Sequence, residues 1–183
     1  MNRIHLVPVG RVEDGLLEGL GDDLSRAFGT EWHLEREGLD ARFAFHAERQ
    51  QHHATDILAR LDANVPPGAW RLLGVTAADL YIPILTFVFG EAQLEGRCAV
   101  VSTHRLRQEF YGLPPDAQLM RERLLKEAVH ELGHTLGLVH CTDYSCAMAS
   151  SHTVELIDLK QAGLCAQCHW LATRETGGRG VGG

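Results

Sequence analysis

The stretch that decides the reading spans 130–140: His130-Glu131-Leu132-Gly133-His134-Thr135-Leu136-Gly137-Leu138-Val139-His140. It closes an apolar-periodic run that begins after Pro114-Pro115-Asp116, in which Leu119, Leu124, Leu125, Ala128, Leu132 and Leu136 share one side. That spacing is the pattern of a long amphipathic helix. On such a helix His130 and His134, just over one turn apart, project from the same face and can share one metal ion. Glu131 lies beside them, placed to reach a water on that metal without becoming a ligand, which is the position of a general base. Gly137 allows the backbone conformation in which a helix stops and the chain turns back, and His140 then becomes the third ligand.

Three neutral imidazoles leave the fourth tetrahedral position of zinc open, which separates a catalytic site from a closed structural one. The competing reading, histidines that merely decorate a helix, must account for the whole H-E-x-x-H-x-x-G-x-x-H string, a signature of zinc peptidases. A second cluster follows at once: Cys141-x4-Cys146, then Cys165-x2-Cys168. Paired cysteines of this spacing suit a closed tetrathiolate zinc site that contributes folding energy directly. A redox C-x-x-C and an iron centre of rubredoxin type are the alternatives. Because His140 and Cys141 are consecutive, a structural metal on the cysteines would anchor the loop that delivers the third histidine. Cys98 falls in an apolar run and reads as core; Met148, taken alone, reads as a gap-filler.

Upstream, Arg3 to Val9 alternates like a strand, and Asp14 to Phe28 places Leu16, Leu17, Leu20, Leu24 and Phe28 on one helical stripe. Glu31 to Glu37 and Trp70 to Thr76 read as further strands, with a helix over Thr55 to Asn64 between them, closed by Pro66-Pro67-Gly68. Leu80 to Phe89 and Arg97 to Ser102 read as two more strands joined by a hairpin-type connection, Gly90 to Gly96. About five strands with helices between the early ones give an α/β layer. Thr153 can cap a last helix, Val154 to Ala162, ended by Gly163, and the chain from Gly177 onward is too glycine-rich to pack.

Composition narrows the function. With 183 residues, 45% hydrophobic and 22% charged, the chain suits one globular domain. Its 17 Lys and Arg against 24 Asp and Glu give a net charge of −7, which argues against nucleic acid or an anionic membrane as partner. The longest apolar stretch, Leu80 to Phe89, contains Pro83 and falls short of the roughly 20 residues a membrane span needs. No export signal is visible at the N-terminus, so the cytoplasm is the expected location. Five cysteines, an odd number without a secretory address, favour metal binding over a disulfide framework.

With H-E-x-x-H-x-x-G-x-x-H-C, a second Cys five positions later, C-x-M and a terminal C-x-x-C, the chain closely resembles the archaemetzincins, a branch of the metzincin zinc peptidases. The segments 74–91 (GVTAADLYIPILTFVFGE) and 99–110 (AVVSTHRLRQEF) also resemble the family's. The resemblance implies a metzincin-like α/β (α+β) fold: a mixed five-stranded sheet with backing and active-site helices over a small, zinc-stabilised C-terminal lobe. It implies one catalytic domain, 1–170, with an upper lobe 1–137 and a lower lobe 138–170, followed by a flexible Gly-rich tail, 171–183. Carried over by position, His130, His134 and His140 hold a catalytic zinc, Glu131 is the base, and Cys141, Cys146, Cys165 and Cys168 hold a second, structural zinc. Met148 becomes the supporting residue of a Met-turn beneath the histidines, and a substrate strand pairs with an edge strand within Leu85 to Phe89.

The implied activity is hydrolysis of a peptide or protein substrate, as an aminopeptidase or a narrow-specificity endopeptidase, by a monomer that needs two Zn2+ and neither nucleic acid nor membrane. The alternative is a zinc-stabilised binding or regulatory module with a weak or occluded peptidase site, including one in which oxidation of the cysteines releases His140. Glu131 favours the enzyme, since a pure binding site has no need of a base beside its metal.

Overall fold

In the computed structural model, which describes residues 2–177 with the side chains of 175–177 excepted, the N-terminal alternation becomes β1 (Arg3–Val9) and the leucine stripe becomes α1 (Asp14–Phe28). The remaining elements are β2 (Glu31–Leu34), β3 (Phe45–His46), β4 (Gln51–His53), α2 (Ala54–Asp62), β5 (Arg71–Thr76), β6 (Leu80–Tyr81), β7 (Gly90–Ala92), β8 (Cys98–Ser102), α3 (Ala117–Thr135), α4 (Val154–Leu159) and α5 (Ala166–Gly177). Five strands form one mixed sheet in the order β2-β1-β5-β8-β7. The first four run parallel, and β7 pairs antiparallel with β8.

Parallel strands joined by crossover helices are covered on both faces, and the alternation along each strand sorts the side chains accordingly. Ile4, Leu6, Leu73, Val75, Ala99 and Val101 face a core shared with the α1 leucines and with Leu124, Ala128 and Leu132 of α3. Val7, Val9, Leu72, Cys98 and Val100 face the other way, onto Ile57, Leu58 and Leu61 of α2. Cys98 is thus core, and burial raises its thiol pKa to about 12, which leaves it unreactive. A third apolar cluster, Leu136, Leu138, Cys146, Met148, Cys168 and Ala172, lies where the chain leaves α3.

The run Leu80 to Phe89 is not one strand. Only Leu80 and Tyr81 form a strand, in a separate three-stranded sheet, β3-β4-β6, and Val88 returns to make a single antiparallel bridge with Leu80. Pro83 cannot donate to a ladder, Ile84 beyond it is 86% exposed, and side chains take over the backbone pairing: Arg49 donates to the carbonyls of Leu85 and Thr86, and Gln51 to that of Thr86. The edge strand next to β8 is instead β7, in the segment expected to be a connection, and β2 is the edge at the far side. Two expectations at the C-terminal end also change. α4 stops at Leu159, without a side-chain cap from Thr153, because the chain becomes extended at Lys160, which is fully buried. Residues 171–177, expected in the tail, continue α5, and Ala172 anchors that helix in the third cluster; 178–183 lie outside the described residues. Among the described residues no helix is long and apolar enough to cross a membrane.

Candidate metal centres

Helix α3 starts with a side-chain cap, the Leu119 amide donating to Asp116 Oδ1 at 2.9 Å. Arg123 ties its middle to α4 through two 2.7 Å bonds to the Asp158 carboxylate. It ends at Thr135, and Gly137 just beyond has a φ of 83°, in the left-handed region. There the Gly137 amide donates to the His134 carbonyl and the Leu138 amide to that of Gly133, a glycine-terminated stop. The chain reverses, and the Leu138 carbonyl arrives 2.7 Å from His134 Nδ1.

This reversal sets the tautomers. His134 Nδ1 donates to the Leu138 carbonyl, and His130 Nδ1 donates to the Ala147 carbonyl at 2.9 Å. Each Nε2 therefore keeps its lone pair, and the two Nε2 atoms stand 3.1 Å apart. The His140 ring closes the group, with centroids 5.3 Å from His130 and 5.1 Å from His134. One ligand atom from each of the three lies within 4.8 Å of the others. Burial, with the nearby Lys160 ammonium, lowers the His130 pKa to about 3, and burial also lowers those of His134 and His140. Three neutral imidazoles converging with fixed outer hydrogen bonds are the donor set zinc prefers, so the residues fit the metal.

The four cysteines converge below. Cys141, Cys146, Cys165 and Cys168 offer sulfurs mutually within 4.8 Å, all are free thiols, and Cys141 Sγ lies 3.8 Å from Cys165 Sγ. Backbone amides point at these sulfurs: Asp143 to Cys141, Met148 and Cys165 to Cys146, and Cys168 to Cys165, at 3.3–3.5 Å. Four sulfurs with amide donors fit a tetrathiolate metal. Met148 links the two groups. Its amide donates to Cys146 Sγ and its carbonyl accepts from the Cys141 amide at 2.9 Å. Its side chain is fully buried beneath α3 against Gly133.

A cleft of about 390 Å³ opens over the histidines, bordered by residues 85–92, by α3 and by Ser150, Ser151 and His152. Glu131 lines it, with β7 passing close by: a Cβ on Gly90 would lie 2.7 Å from Glu131 Cγ and Oε1 and 2.6 Å from the Val100 carbonyl. Burial raises the Glu131 pKa well above the ordinary value, and the carboxylates of Glu127 and Glu91 add to the shift, while Lys160 opposes it. That environment favours a carboxyl that takes up a proton readily.

Sequence reasoning passed over several residues here. Lys160 Nζ lies 2.8 Å from Glu127 Oε1 and donates to the Ala149 carbonyl at 3.2 Å, a buried ion pair joining the Met148 loop to α3. Glu127 stands one turn before Glu131 on the apolar side of α3, a signal that could have been read; nothing local marks Lys160. Gly90, Gly133 and Glu91 carry no signal in the sequence beyond their proximity to the motif.

Comparison with known proteins gives a concordant result. Residues 65–174 match the description of Peptidase family M54. The chain is 42% identical over 166 residues to an archaemetzincin of Methanocaldococcus jannaschii, covering 91% of this chain and 90% of that one. Its structure resembles the crystal structure of archaemetzincin from Methanopyrus kandleri, with a TM-score of 0.83 and 36% identity over 96% of this chain and 95% of that one. It also resembles a zinc-dependent peptidase from Methanocorpusculum labreanum, with a TM-score of 0.84 and 31% identity over 92% of this chain and 99% of that one.

Proposed function

Because the chain belongs to peptidase family M54, the archaemetzincins, and so is a zinc metallopeptidase, we propose that it hydrolyses peptide bonds in the cleft above α3, with His130, His134 and His140 as ligands of one zinc ion and Glu131 as the base. The observation that carries this reading is the pair of facing Nε2 lone pairs 3.1 Å apart, with His140 closing the group and Glu131 lining the same cleft. Two unprotonated nitrogens at that distance repel unless a cation lies between them.

Zinc at the three histidines supplies Lewis acidity, polarising the scissile carbonyl and making water a better nucleophile. The chain does the rest. Glu131 takes a proton from the attacking water onto a carboxylate oxygen and delivers it to the leaving nitrogen. The Leu138 and Ala147 carbonyls keep the His134 and His130 rings oriented. The edge strand β7 offers its free backbone side to a substrate peptide, which can add as one more strand.

Cys141, Cys146, Cys165 and Cys168 hold a second, structural zinc in this reading. They belong to a lower lobe, 138–170, that completes a single catalytic domain with 1–137 and carries His140 into place. Zinc-loaded protein, assayed by mass spectrometry on a broad peptide library beside Glu131→Gln, tests the reading. Glu131→Gln is expected to retain two zinc ions per chain and to lose hydrolysis by about 10²-fold or more. A variant that keeps near-parental turnover would remove Glu131 from the role of base, and a zinc-replete parent that cleaves nothing would favour a binding module.

A further inference from the structure

Three carboxylates line the cleft, those of Glu91, Glu127 and Glu131, and the residues lining it include no Lys or Arg. Two are accounted for. Glu127 is paired with Lys160 at 2.8 Å, and Glu131 serves the proton transfer described above. Glu91 makes no ion pair among the described residues, where its two oxygens accept only from the Thr55 hydroxyl, at 2.9 and 3.0 Å. That hydroxyl is neutral, so it orients the carboxylate without offsetting its charge. Asp56, next along α2, adds a second negative charge, and His53 directs its Nδ1 to Asp56 at 3.0 Å. Burial raises the Glu91 pKa, the Thr55 hydrogen bond and the nearby His53 ring lower it in part, and Asp56 adds a smaller upward push.

The register says what can reach it. Position 90 faces Glu131, so by alternation the side chain of Glu91 leaves the sheet on the opposite face, towards the start of α2. β7 is the edge strand of the sheet on the side of the cleft, β2 being the other edge. A peptide strand added there presents every second side chain to the Glu91 face, where cross-strand neighbours stand about 5 Å apart. Resting on the peptidase reading above, we propose that Glu91 is a specificity-determining residue that accepts an ammonium group of the bound peptide, from a lysine side chain or from a free N-terminus. A charge-assisted hydrogen bond of this kind corresponds to about tenfold or more in affinity.

Peptides with lysine, norleucine or glutamate at each position, made with free and with acetylated N-termini, test it on zinc-loaded protein. Cleavage is followed by mass spectrometry, and binding to the Glu131→Gln protein by fluorescence anisotropy. The expected result is a preference of about tenfold for an ammonium-bearing peptide at one fixed position relative to the cut. The ratio is expected to fall towards unity in Glu91→Gln, an isosteric change that can still accept from Thr55, and to shift towards glutamate in Glu91→Lys. A preference kept by acetylated peptides assigns the lysine side chain; one lost on acetylation assigns the N-terminus. A preference for the ammonium-bearing peptide over its neutral counterpart (lysine over norleucine, or free over acetylated N-terminus) that Glu91→Gln leaves unchanged overturns the inference, as does equal binding or no binding of the ammonium-bearing and neutral peptides by Glu131→Gln. Preferential binding that Glu91→Gln abolishes, in a protein that hydrolyses nothing, would overturn the peptidase reading and leave the role of Glu91 standing.

Discussion

The side chain of Met148 fills the space that a Cβ on Gly133 would need: one built there overlaps Met148 Sδ, and Met148 is fully buried. The third residue after the first histidine of the motif is therefore glycine for a packing reason, and the Met148 loop can press against the helix only because of it. Gly133→Ala, in an α-helix where alanine is the better former, is expected to destabilise the protein by about 1–3 kcal/mol through overpacking. Met148→Leu, close in volume, is expected to lose less than about 1.5 kcal/mol. Denaturant midpoints of the two variants check this; a Gly133→Ala protein more stable than its parent would show that Met148 has room to move.

The Glu127–Lys160 pair, buried at 2.8 Å, makes a different prediction. Removing one partner leaves the other charge buried and uncompensated, so Lys160→Met is expected to lose about 3–5 kcal/mol. The double variant Glu127→Gln with Lys160→Met removes both charges and is expected to recover most of that loss. Equilibrium unfolding of the two single variants and the double variant measures the coupling. Strictly additive losses would mean that the two groups do not act as a pair.

On the proposed reading, the histidine and cysteine clusters are expected to depend on one another in one direction only. Structural zinc supplies on the order of 10 kcal/mol of apparent binding free energy, comparable to the whole stability of a domain. Cys165→Ser is expected to lower the zinc content by one ion per chain, raise hydrogen exchange over 141–168 and weaken zinc at the histidines, since His140 precedes Cys141. His134→Ala is expected to empty the histidine site while the fold persists, because α3 is held by Leu124, Ala128 and Leu132 in the main core. Unchanged exchange and unchanged histidine-site affinity in Cys165→Ser would refute the coupling.

The pH dependence of the metal-free protein has a definite sign. The His130 pKa is about 3 in the fold against 6.5 as the ordinary value, so the unfolded chain takes up a proton that the folded chain refuses. Stability attributable to this group is intact above 6.5 and is lost as pH falls from 6.5 towards 3. Glu127 and Glu131, with raised pKa values, act oppositely and gain stability as pH falls towards 4.5. Comparing denaturant midpoints of the parent and His130→Gln from pH 8 to pH 4 isolates the histidine. A shallower acid loss in His130→Gln is expected, and parallel profiles would show that the imidazole is not held neutral.

Much of this protein is written in local sequence. The leucine spacing of 14–28 and the alternation of 3–9 correspond to α1 and β1 at the same bounds, because an amphipathic period needs only a core to face. The string 130–140 likewise marks its own geometry: one helical turn between His130 and His134, and a left-handed glycine that returns His140 to them. Its neighbouring cysteines converge as their spacing suggests.

Long-range contacts decided the rest. The apolar run from Leu80 looks like a strand, yet Arg49 and Gln51, far earlier in the chain, satisfy its carbonyls, and the edge position falls to Gly90–Ala92. Glycine is required at 90 because Glu131 occupies the space beside it, and at 133 because Met148 does. Lys160 looks like a surface residue until Glu127 and the Ala149 carbonyl enclose it. Helix periodicity and ligand spacing act over a few residues and can be read from them. Which buried charge finds a partner, which strand is left at the edge and where a Cβ has no room depend on groups that meet only when the chain has folded.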